Sequence, residues 1–138
     1  MKISLTICLI LGLCLNLQSQ TKSTNVNELS GTWCIDTMYI DVEMTEQMLE
    51  VYTERFCEIK KTTQFVFKED GEYLKVSKDA PRNGRWEVTE NGELLTLKFE
   101  GNGEETRLRV NYLDKDHVVF YPQGKNEKTE KIKLIRQH

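Results

Sequence analysis

The chain has 138 residues, with 19 Lys and Arg against 22 Asp and Glu, for a formal net charge of −3. Its basic residues are scattered through an acidic background, which argues against nucleic acid and anionic membrane surfaces as partners. The length fits one domain with a core of its own.

Met1-Lys2, the largely apolar run Ile3 to Leu15 and the polar exit Asn16 to Gln20 have the layout of a secretory signal peptide. They offer one positive charge, an apolar stretch too short to cross a bilayer with ease, and a small residue near the cut. We expect residues 1–20 to be removed after Ser19 or Gln20, and the product to be periplasmic or secreted. The competing reading, lipidation at Cys14, lacks the small residue wanted just before the cysteine, where Leu13 stands. About 118 residues then remain, with a net charge of about −4 because Lys2 is the leader's sole charge. No other stretch is apolar enough to span a membrane, and a soluble monomer is expected.

Cys8 and Cys14 leave with the leader, so Cys34 and Cys57 alone meet an oxidising compartment. The expectation is a disulfide between them, contributing about 3 kcal/mol by loop entropy. The alternative is two small buried hydrophobes. A catalytic thiol has no support, since the only histidines, His117 and His138, are remote from both cysteines in the chain.

Residues 21–28 are polar and without period, and read as a flexible lead-in to a domain over 29–138. A first strand runs from about Ser30 to Ile40. Between Asp41 and Lys61 the period changes: Met48, Tyr52, Phe56 and Ile59 recur at helical spacing, Leu49 widens the stripe, and charges follow the helix dipole. Thereafter strands alternate with explicit turns. Glu69-Asp70-Gly71 joins Phe65 and Phe67 to Tyr73–Ser77, a loop with Pro81 leads to Gly84–Val88, and Asn91-Gly92 turns into Leu94–Phe99. Thr106–Tyr112, Val118–Tyr121 and Thr129–Arg136 follow. Eight antiparallel strands in up-and-down order predict a closed β-barrel with one helix between strands one and two. A sandwich is the runner-up, but it needs a long crossing connection that the strand region lacks.

Leu29-x-Gly31-x-Trp33, a strand-rich region with Phe67 and Asp70-Gly71, and the repeated Gly84-x-Trp86 together resemble the small lipocalin-like domains of exported bacterial proteins, notably those of Bacteroidetes. The resemblance implies an Arg near the end of the last strand stacked on the Trp of the first, so Gly31, Trp33, Gly84 and Arg136 are expected to be structural. The lipocalin Thr-Asp-Tyr motif before strand seven is absent; Tyr112-Leu113-Asp114 stands near its place.

Strict alternation predicts an inward phase of Phe65 and Phe67, Leu74 and Val76, Trp86 and Val88, Leu95, Leu97 and Phe99, Leu108, Val110 and Tyr112, and Ile132 and Leu134. Any cavity among side chains this bulky should be small. A small apolar ligand would sit under the helix, against Met48, Leu49, Tyr52 and Phe56 and the inward Phe65, Phe67, Trp86 and Tyr112; the bland alternative is a helix that merely plugs the barrel. Arg85, Lys98, Arg107 and Arg109 fall in the outward phase, so a buried carboxylate would find only Tyr112 and no counter-charge. Paired acids such as Asp41 and Glu43, or Glu69 and Asp70, read as caps and turn formers. With no His pair and no nucleophile elbow, the expectation is a non-catalytic binding module without metal or cofactor, or else a filled barrel acting on another protein.

Overall fold

A computed structural model describes residues 26–124 and 130–138. The leader, the Cys14 alternative and most of the lead-in lie outside these residues. The chain runs α1 (Val26–Leu29), β1 (Gly31–Ile40), α2 (Glu46–Thr62), β2 (Gln64–Phe67), β3 (Glu72–Val76), β4 (Arg82–Thr89), β5 (Leu94–Phe99), β6 (Glu105–Leu113), β7 (His117–Pro122) and β8 (Glu130–Arg136). Every strand is antiparallel to its neighbours in sequence, and β1 pairs with β8, closing an eight-stranded barrel with one long helix between β1 and β2. Closure removes the two free edges that an open sheet of these strands would have.

The hairpins follow from their turn residues. Between β4 and β5, Asn91 and Gly92 both take positive φ, 58° and 88°, as a tight twisted hairpin needs. Between β2 and β3, Gly71 takes φ 86°, Lys68 N–H donates to the Glu72 carbonyl, and Gly71 N–H donates to the Lys68 carbonyl. This turn sets Phe67 opposite Tyr73 and Phe65 opposite Lys75. Paired residues of antiparallel strands share a face. Tyr73 and Lys75 therefore hold the inward phase of β3, while Leu74 pairs with Val66 on the outer face and Val76 is half exposed. The inward assignment of Leu74 and Val76 is thereby corrected: turn parity overrides the aliphatic pattern. In β6 a register shift between Val110 and Tyr112 gives the next inward position to Leu113, which is buried; the Tyr112 side chain lies outside the described residues.

At one pole Trp33 is fully buried, with its indole N–H donating to the Leu29 carbonyl at 2.8 Å. The Arg136 guanidinium lies 4.2 Å from the Trp33 ring centroid. Its Nε donates to the Lys115 carbonyl and Nη1 to the Ser30 carbonyl, both at 2.6 Å, and Nη2 donates to the Glu28 carbonyl. One planar fork thus ties the turn after β6 to the chain just before β1. Residues 26–28, read as lead-in, form a helical turn held by this fork, and Leu29 behind them is fully buried. Gly31, at φ 136°, admits the guanidinium, because a Cβ there would overlap Arg136 Nη1.

The second Gly-x-Trp works at the same pole. Trp86 donates its indole N–H to the Lys68 carbonyl at 2.9 Å and its backbone N–H to the Gly71 carbonyl, while Arg85 Nη2 donates to the Asp70 carbonyl at 2.6 Å. Trp86 latches the β2–β3 turn, with Phe67 edge-on to its ring at 5.5 Å.

Cys34 and Cys57 are both free, which corrects the expected disulfide. Cys34 alternates with the buried Trp33 and Ile35, so its Sγ points out of the wall, 3.5 Å from Gln137 Oε1. Cys57 lies on the exposed face of α2, one residue past the half-buried Phe56. Alkylation of the protein under denaturing, non-reducing conditions is expected to label both residues; a peptide pair that stays cross-linked until reduction would contradict the free-thiol geometry.

Candidate functional site

The pole opposite Trp33 is reached by the ends of β1, β3, β5 and β7 and the starts of β2, β4, β6 and β8. Here β1 and β2 part company. Their pairing ends at Cys34 opposite Gln64, whereas β1 continues along β8 as far as Ile40 opposite Glu130. α2 lies along this unpaired flank of β1. It begins at the Thr45 N-cap, whose side chain accepts from Met48 N–H, ends with Lys60 and Lys61 in its last turn, and is tied to β1 by Lys60 Nζ donating to the Asp36 carbonyl at 2.8 Å.

Helical spacing carries three side chains to the barrel: Tyr52, Phe56 and Ile59 are half-buried, and Phe56 and Ile59 pack on the core. Tyr52 stacks on Phe56 with ring centroids 6.3 Å apart. Burial raises the Tyr52 hydroxyl above its ordinary range, and the Glu130 carboxylate adds to this. Met48 and Leu49, expected under the helix, are 56% and 54% exposed, because only the later turns of α2 reach the barrel. No residue of α2 is fully buried, so the helix is neither a plug nor a sealed lid.

Of the other expected ligand contacts, Phe67 and Trp86 belong to the packed closed pole, and Phe65, half-buried, pairs with Trp33 and packs against the core. What the sequence reading missed is a pair of cations in the inward phase at the barrel rim, Lys75 partly buried and Arg82 with its side chain 45% exposed. Lys75 of β3 stands opposite Arg82 of β4, and Arg82 shares the phase of buried Gly84 and Trp86. Arg82 lies 4.8 Å over the Phe99 ring, and its Nη1 is 3.2 Å from Glu104 Oε2. Among the described residues the Lys75 side chain has no hydrogen bond or ion pair. Burial lowers its ammonium below the ordinary lysine range, and the Arg82 charge lowers it further. Below them, Tyr73 and Phe99 approach across Gly84, at 6.1 Å between centroids, since the glycine between them carries no side chain. A hollow of about 320 Å³, lined by Pro81, Arg82, Asn83, Phe99, Glu100 and Asn102, opens beside this pair. The signal that could have found the site was the turn: counting through Gly71 from Phe67 puts Tyr73 and Lys75 inside.

Like charges facing each other on one sheet surface are unfavourable, by about 0.2–1 kcal/mol. The lowered Lys75 pKa has the same sign: the charged form carries a cost at neutral pH that fades as pH rises toward the ordinary lysine value. Lys75→Met is therefore expected to leave the fold as stable or to raise its thermal midpoint by a few degrees. A clear loss of stability in calorimetry would mean that Lys75 has a structural partner.

The histidines sit at the closed pole, His117 Nδ1 3.3 Å from Asp114 and His138 Nε2 2.9 Å from Asp116. Among the described residues there is no cluster of three or more His, Cys, Asp or Glu able to hold a metal. Likewise, no described helix is long and apolar enough to cross a membrane.

The barrel with its flanking helix is a fold already seen in a solved structure. This chain is similar to a DUF4847 family protein from Bacteroides vulgatus. The superposition covers 83% of this chain and 100% of that one, with a TM-score of 0.60 at 14% sequence identity. At that identity the likeness is one of fold. No family model matches the chain, and no curated protein does.

Proposed function

We propose that the protein is an exported, non-catalytic, lipocalin-like binding module for a small amphipathic molecule. The observation that carries this reading is the mouth itself, where Lys75 and Arg82 stand opposite each other in the inward phase and Arg82 lies over the half-buried Phe99 ring. A cost in stability at one end of an otherwise well-packed barrel is the usual mark of a place kept for binding. The stacking of Arg136 on Trp33 behind Gly31 supports the lipocalin-like designation. The layout of residues 1–20, one positive charge, an apolar run and a polar exit, supports export.

A second reading has its own support. Below the mouth the interior is filled by Phe67, Tyr73, Trp86, Leu95, Leu97 and Phe120, and Met48, Leu49 and Val51 expose apolar surface on α2. A filled barrel that acts on another protein through this helix uses both features. Native mass spectrometry of protein purified from its own host separates the two. A co-purifying amphipathic metabolite supports the binding module. Clean apo protein, with no thermal stabilisation by a panel of apolar and amphipathic ligands, favours the filled barrel.

A further inference from the structure

Apart from the mouth, the exposed side of α2 has a chemistry of its own, independent of whether a ligand enters the barrel. We propose that this side of α2 seats a second copy of the chain, the two helices packing antiparallel about a two-fold axis near their midpoint.

Charge is ordered along the helix. Glu46, Glu50 and Glu54 occupy its first half, and Arg55, Lys60 and Lys61 its second. Among the described residues none of these six forms an ion pair. The remaining acid of the second half, Glu58, is met by Lys78 of its own copy at 3.5 Å. Glu46, Glu50 and Glu54 follow at four-residue spacing, a row of like charges that disfavours the helix standing alone. An antiparallel copy lays each acidic half along a basic half, whereas a parallel copy would set like on like.

The midpoint of Glu46–Thr62 falls at Glu54, so a two-fold axis there brings Glu54 of one copy to Arg55 of the other, and the symmetry makes that pair twice. Val51, Glu54, Arg55 and Glu58 step by three and four residues along one exposed side, and an open hollow of about 510 Å³ runs beside them. Val51 is 65% exposed, and Met48 stands one turn before it, also exposed. Their apolar surface suits the methylene stems of Arg55 and Lys61 from the other copy. With 17 residues α2 is about 25 Å long, so the contact is small for a specific interface and the dimer weak, with a Kd of about 10–300 µM.

The test is sedimentation equilibrium of the purified, reduced protein from about 10 µM to about 1 mM. The parent is expected to pass from monomer to dimer over this range, and about 0.5 M NaCl to weaken the association several-fold by screening. Glu54→Arg and Arg55→Glu should each weaken the homodimer about tenfold, since each sets like charge against like charge twice. Mixing the two variants, or joining both changes in one chain, makes both pairs again and should return the parent's association. Damage to the fold cannot give that recovery, and circular dichroism checks the helix in each variant. Monomer throughout the range, a dimer indifferent to both reversals, or a mixture no better than its components overturns the inference and leaves this side of α2 to a different protein.

Discussion

Arg136→Ala is expected to destabilise the fold by about 3–4 kcal/mol in urea denaturation. Three hydrogen bonds from a charged donor to the Lys115, Ser30 and Glu28 carbonyls disappear, together with the stacking on Trp33. Each charge-assisted bond contributes on the order of 1 kcal/mol net at a partly exposed site, and the cation–π contact about 0.5–2 kcal/mol. Arg136→Lys should recover only a small part, because a point charge cannot reach three carbonyls and lie flat on an indole at once. Gly31→Ala attacks the same device from the other side: its Cβ would overlap Arg136 Nη1, and φ 136° is unfavourable for alanine. The two changes should be strongly non-additive, since the overlap vanishes once the guanidinium is gone. Additive losses, or an Arg136→Ala cost under about 1 kcal/mol, would sink this account of the closed pole.

Gly84→Ala is expected to cost about 2–3 kcal/mol, for a different reason. The φ of Gly84 is ordinary, so backbone freedom is not what the position needs. It needs space: a Cβ there would overlap the Lys98 carbonyl oxygen, which is backbone of β5 and cannot rotate away. To fit alanine, β4 and β5 must separate where Gly84 pairs with Phe99, and Tyr73 and Phe99 lose their approach across the glycine. The variant should also show a changed near-ultraviolet tyrosine signal, because the Tyr73 environment is rebuilt. A stability within about 0.5 kcal/mol of the parent would show that the sheet yields there at little cost.

Much of the architecture was legible in the chain because it rests on local chemistry. Asn91-Gly92, Asp70-Gly71 and Asn102-Gly103 mark turns whose backbone only a few residues tolerate, and the Met48–Ile59 spacing selects a helix in a chain otherwise patterned for strands. The strand order then follows, since short hairpins leave antiparallel neighbours as the simplest choice. The two Gly-x-Trp segments were legible as structural devices, although that both serve one pole emerged only from the bonds of Trp86 to Lys68 and Gly71.

The mouth was not legible, and the reasons are tertiary. Alternation gives two phases to β3, and choosing Leu74 and Val76 over Tyr73 and Lys75 was a choice of the more aliphatic face. The turn at Gly71 decides otherwise by fixing Phe67 opposite Tyr73. Arg82 read as part of a loop after Pro81, yet it begins β4. Cys34 and Cys57 carry no directional information in sequence; their outward positions on β1 and α2 decide against a bond. The seat of α2 depends on where β1 and β2 cease to pair, which no local pattern encodes.

By itself the sequence determined the number and order of strands, the helix between the first two, and the Gly31-x-Trp33 foundation, because these depend on turn chemistry and period. Only the tertiary structure decided which face of β3 is inside, and with it whether the barrel mouth is apolar or carries Lys75 and Arg82. Register is a relation between two strands, and a one-residue change of parity exchanges every side chain between core and solvent.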